Sequence, residues 1–151
     1  MFTEIDLAYA AGIIDGEGCI SISKLRSKYV ESRSGYDYAL SVSFVIREKE
    51  LCDWFELKFG GKVFFNPISK KNPKHSDVWL WRVTRSDAIP FLATIEPYLK
   101  LKLLRARNAL EFQKNIKTKR TKPLSDGELA VREAQYILQR DLNAKGSTRK
   151  S

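Results

Sequence analysis

The sequence predicts an α+β fold in the order αββαββα, an antiparallel sheet with its helices on one face and extra helices at the C-terminal end. Two pairs of segments alternate apolar and polar residues with a period of two, and each pair is joined by turn-forming residues. Between and after these pairs lie segments with helical spacing. At 151 residues, 43% hydrophobic and 30% charged, the chain is large enough for one core and one domain.

The first helix opens at Thr3, an N-cap with Asp6 three residues on, and residues 7–14 are apolar on every side. Such a helix expects burial on more than one face. One side meets its own sheet, and Ala8, Ala11 and Gly12 let a second helix approach closely on the other. At its end Asp15 and Glu17 oppose the helix dipole, each at a cost of roughly 0.3–1 kcal/mol, and Gly16 and Gly18 suit left-handed C-caps. Strands follow over 19–25 and 38–46, the first with Ile20 and Ile22 opposite Ser21 and Ser23. The second sets Leu40, Val42, Phe44 and Ile46 against Ser41, Ser43 and Val45.

A helix fits 48–59, with Leu51, Phe55 and 57–59 as core candidates, and Gly60 and Gly61 end it. Residues 62–65 and 78–84 form the second strand pair across a loop rich in proline, lysine and serine. Helices resume over 86–95 and, beyond Pro97, over 99–115, where Leu99, Leu103, Ala106 and Leu110 recur at helical spacing. Residues 119–123 read as a basic linker. Ser125 and Glu128 make a capping box for a last helix to about Leu142, and 143–151 read as a disordered basic tail.

The longest apolar run is too short to span a bilayer and follows Glu4 and Asp6 instead of basic residues, so an intracellular protein with no membrane partner is expected. Cys19 and Cys52 fall in no metal or redox spacing and read as small buried apolar residues. With one histidine, His75, histidine-rich metal sites are disfavoured, and carboxylates must bind any metal. Asp15 and Glu17 beside helix-end carbonyls form an all-oxygen set that suits a hard divalent cation. The plainer alternative pairs Asp15 with a backbone amide and leaves Glu17 solvated.

A net charge of +9 argues for a polyanionic partner, solubility being the alternative. Its cations concentrate in three places: Lys24, Arg26, Lys28 and Arg33; Lys70, Lys71 and Lys74 with His75; and Lys114, Lys117, Lys119, Arg120 and Lys122. A polar sheet face of Ser21, Ser23, Ser41 and Ser43 between these loops suits the DNA major groove, or is an ordinary solvated face. Trp79 and Trp81 share one side of their strand. With Phe65 they pack in the core or, alternatively, meet thymine methyls and sugars.

Residues 10–18, Ala-Ala-Gly-Ile-Ile-Asp-Gly-Glu-Gly, resemble the nine-residue motif of the LAGLIDADG homing endonucleases. Residues 91–102, with Pro97 and a Leu-Lys-Leu-Lys turn, are similar to the late helix and turn of its single-motif members, and the likeness covers most of 7–115. The resemblance implies a saddle-shaped sheet, a catalytic core over 1–116, and a basic linker, C-terminal helix and tail over 117–151. It implies a homodimer joined through the motif helices. That dimer would cut both strands of a long pseudo-palindromic duplex DNA with Mg²⁺ (or Mn²⁺) and leave short 3′ overhangs. By the same resemblance, Glu17 and the Gly16 carbonyl bind the metal, Asp15 shapes the helix end, and Lys102 polarises water or steadies transition-state charge. Glu48 stands where relatives often carry glutamine. It either joins the metal shell or repels phosphate, and Arg47 beside it either faces DNA or forms an ion pair with it. A splicing maturase or a non-cleaving DNA- or RNA-binding protein on the same fold is the alternative. Retention of Asp15, Glu17 and Lys102 counts against that alternative.

Overall fold

The computed structural model describes residues 1–26, 35–67, 77–116 and 124–147. Its elements are α1 (Glu4–Glu17), β1 (Gly18–Arg26), β2 (Tyr36–Ile46), α2 (Lys49–Phe59), β3 (Lys62–Asn66), β4 (Val78–Thr84), α3 (Ala88–Ile95), α4 (Leu103–Lys114) and α5 (Asp126–Ser147). Short 3₁₀ turns, Arg85–Asp87 and Glu96–Tyr98, precede and follow α3. The four strands form one antiparallel sheet in the order β1-β2-β4-β3.

Strand alternation divides this sheet cleanly. Ile20, Ile22, Leu40, Val42, Phe44, Trp81 and Val83 lie on one face and are buried with Ala10, Ala11 and Ile14 of α1, Phe55 of α2 and the inner sides of α3 and α4. Phe44, Phe55 and Trp81 meet with ring centroids 4.6–5.6 Å apart, and Phe91 of α3 closes on Trp81 at 5.1 Å. Trp81 also donates its indole N–H to the Gly60 carbonyl at 2.9 Å. Gly60 and Gly61, at φ 78° and 82°, make the left-handed turn that ends α2. Trp79 packs on the same core and meets the half-exposed Phe65 at 5.0 Å, so these aromatics lie on the helix side of the sheet.

Both expected capping boxes form, Thr3 with Asp6 and Ser125 with Glu128. Elsewhere the structure corrects the expectations. Gly16 lies inside α1 and Gly18 is extended at φ −83°, so neither takes a left-handed cap; a Cβ on Gly18 would instead meet the Ile14 backbone at 2.8 Å. On the side of α1 expected to meet a second helix, Ile5 and Tyr9 are 81% and 52% exposed in line with Ala8 and Gly12. Ala11 belongs to the chain's own core and not to that exposed stripe. Leu57 is exposed on α2, while Cys52 takes a buried place and Cys19 an exposed one. Burial pushes the Cys52 thiol up to about 11.

Helical spacing near Leu99 is interrupted. Residues 99–102 form a turn, and α4 starts at Leu103. α5 runs to Ser147, past the expected stop near Leu142. It is packed into the same unit as the rest: Gln139, 1% exposed, donates to the Ile20 carbonyl of β1 at 2.7 Å and accepts from Asn108 of α4 at 3.0 Å. Asn143 donates to the same Ile20 carbonyl at 3.1 Å, so α5 covers the free edge of β1. Glu133 adds a polar clasp, accepting from Tyr38 and from Lys24 at 3.0 Å. These donors hold the Glu133 carboxyl below its ordinary value, Tyr38 contributing most.

Candidate active site

The C-terminal end of α1 meets the 99–102 turn, and each supplies what the other lacks. Asp15 accepts from three successive backbone N–H groups, those of Lys100 at 2.8 Å, Leu101 at 3.2 Å and Lys102 at 3.0 Å. In the reverse direction the Lys102 ammonium donates to the carbonyls of Ile14 at 2.7 Å, Asp15 at 3.0 Å and Gly18 at 2.6 Å. A lysine at the negative end of a helix dipole is well placed electrostatically, and here it adds a charged donor to helix-end carbonyls, of which that of Ile14 also accepts the Gly18 N–H. Lys102 does not take the Gly16 carbonyl. Burial pulls the Lys102 ammonium below the ordinary lysine value, and Arg105, one turn on in α4, adds to that shift while Asp15 opposes it.

Glu17, by contrast, is exposed at the helix end. Of the two acids, Asp15 therefore has its oxygens engaged in holding the turn, and Glu17 is the one left to meet a ligand. The described residues contain no group of three or more histidine, cysteine or acidic side chains that could hold a metal. One Glu17 carboxylate and one carbonyl fit a hard cation in kind but supply few of the six or more oxygens it takes, so the remainder must come from water, substrate or a second copy.

A search of solved structures returns the archaeal intron-encoded homing endonuclease I-Vdi141I in complex with DNA, with a TM-score of 0.73 and 14% identity over 92% of this chain and 84% of that one. This is the LAGLIDADG homing endonuclease fold. Two further neighbours agree. The homing endonuclease I-CvuI, solved on a DNA target that it had not cleaved, aligns with TM-score 0.70 and 18% identity over 98% of this chain and 86% of its own. The I-LtrWI LAGLIDADG homing endonuclease bound to target DNA aligns with TM-score 0.67 and 21% identity over 90% of this chain but 44% of its own. No family model and no curated protein sequence matches the chain.

Within the LAGLIDADG fold, the sheet face away from the helices carries Ser21, Ser23, Ser41 and Ser43, all part-exposed, and Ser21 pairs directly with Ser41. Arg47 and Glu48 are exposed at the junction of β2 and α2, where Glu48 stands at the N-cap position without a side-chain capping bond. Two expected DNA contacts are corrected. Lys24 lies on the helix side of β1, held by Glu133 and Tyr38, and Arg26 follows it on that side. Lys28, Arg33, Lys70, Lys71, Lys74, His75 and Lys119 lie outside the described residues. The open face also carries two cations that the sequence reading passed over, Arg82 and Lys62. Their signal was available, since Arg82 follows Trp81 and so points away from the buried indole. No described helix is long and apolar enough to cross a membrane.

Proposed function

We propose that the protein is a site-specific DNA endonuclease that works as a homodimer on a long pseudo-palindromic duplex and leaves short 3′ overhangs. The observation that carries this reading is the Lys102 ammonium seated on the end of α1 beside an exposed Glu17 and an Asp15 committed to the turn. Such a site concentrates a fixed positive charge and a free carboxylate at one point, ahead of the sheet face that would carry the bases.

Glu17, with the Gly16 carbonyl, would hold Mg²⁺ (or Mn²⁺), and a bound divalent ion would activate water and stabilise charge on the phosphate oxygens. Asp15 positions the turn. Lys102 has three N–H donors and uses all of them on carbonyls, so in this arrangement it acts through its field and not by a further hydrogen bond. Glu48 and Arg47 flank the approach of the phosphate, where the arginine offsets the acid. The chain supplies one such site, and cutting two strands asks for two. The exposed stripe of Ile5, Ala8, Tyr9 and Gly12 along α1 is the surface through which a second copy would bring the other.

The test is cleavage of a duplex library. The parent should cut with Mg²⁺ and not with a chelator, and Glu17→Gln should lose cutting while keeping specific binding to the selected site. Mg²⁺-dependent cutting by Glu17→Gln at the parent's rate would remove Glu17 from the metal role.

A further inference from the structure

The open face of the sheet is divided chemically. Over β1 and β2 it carries four serines, with Leu25 paired to Asp37 at the far end. Over β4 and β3 the register sets Arg82 directly opposite Lys62, in a row that continues through Ser43 to Cys19. The adjacent row is apolar, Val45, Leu80 and Phe64, with Val45 and Phe64 each 43% exposed.

Neither row is explained by the described residues alone. Like charges directly opposite on paired strands destabilise the pair, and among the described residues neither Arg82 nor Lys62 has an acidic partner. The apolar row beside them gains nothing from water. One acid, Asp37, lies on this face among the described residues, at the far end of β2 from both rows. The occupant must therefore be anionic yet offer apolar groups at its surface. The DNA major groove has both, because guanine presents O6 and N7 to arginine and thymine presents its methyl group.

We propose that these two rows, on β3, β4 and the adjoining end of β2, determine target specificity, Val45, Leu80 and Phe64 reading thymine methyls near a guanine held by Arg82. This rests on the duplex-binding reading above. Rows on one face of a strand are about 7 Å apart, roughly two base steps along a strand of DNA. The selected site should thus carry thymine about two positions from a conserved guanine, on each side of its centre. The aromatics that first suggested thymine contact, Phe65, Trp79 and Trp81, lie on the opposite face.

The test changes the DNA first. The full chain selects its site from a random duplex library, and each thymine is then replaced by deoxyuridine, which removes the methyl group and nothing else. Loss of one buried methyl contact should weaken binding about three- to fivefold at the thymines facing this row and leave other thymines silent. In Leu80→Asn and Phe64→Asn, both changed on an exposed face, that sensitivity should vanish. If uridine is tolerated at every position, or if both variants keep the parent's sensitivity, the proposal fails while duplex binding stands. If no duplex is selected at all, the endonuclease reading itself falls and takes the proposal with it.

Discussion

Lys102 is the residue on which packing and the proposed chemistry coincide. Its ammonium donates to three part-buried carbonyls, so Lys102→Met should lower stability by about 1–3 kcal/mol, the range for losing hydrogen bonds from a charged group. If its charge also steadies the reaction, single-turnover cleavage of saturating DNA should fall by about 10² or more, with affinity little changed. Denaturant unfolding and quenched-flow cleavage report the two effects separately. A rate within about threefold of the parent, alongside the stability loss, would leave Lys102 a helix cap alone.

At the scale of elements, α1 and α5 behave differently. A Cβ on Gly12 would meet no atom of the chain within 4 Å, so Gly12→Leu should leave the monomer folded and block close approach of a second α1. Sedimentation should then give a folded monomer where the parent, on the proposed reading, gives a dimer; a dimer of unchanged affinity would move the interface off α1. The docking of α5 responds instead to acid. Glu133 titrates below the ordinary glutamate value of 4.5 because Tyr38 and Lys24 donate to it, so its contribution is complete at neutral pH and disappears as pH falls from about 4.5 through the lowered value. Between pH 7 and pH 3.5 the parent should therefore lose more denaturant resistance than Glu133→Gln. Equal losses would mean that the clasp contributes nothing.

For the whole molecule, the exposed cations Arg47, Lys62, Arg82 and Lys100 predict binding that weakens steeply with salt. The logarithmic slope should fall by about 0.9 when a phosphate-contacting lysine such as Lys62 becomes glutamine; an unchanged slope would make that charge a solubility feature. Most of this architecture was legible in the chain, because strand alternation and capping residues are local signals. The pairing of α1 with the 99–102 turn was also foreseeable, but only through the motif that Asp15, Glu17 and Lys102 resemble. What local pattern did not reveal was set by distant partners. Lys24 looks like a loop cation until Glu133, more than a hundred residues away, claims it. Gly18 looks like a cap until Ile14 crowds it, and α5 looks like an appendage until Gln139 reaches Ile20.

That last contact bears on how two copies can meet. A half-open sheet offers a shorter route to dimerisation than helix packing: two edge strands side by side, giving one continuous eight-stranded sheet. Here Gln139 and Asn143 of α5 occupy the Ile20 carbonyl midway along β1 and stand across that edge, and the opposite edge is β3, five residues long, with Lys62 at one end and Pro67 just past the other. A truncation before α5 would therefore reopen the β1 edge. The shortened chain should pair or aggregate through it and form a sheet broader than either copy of the proposed dimer would lay on DNA.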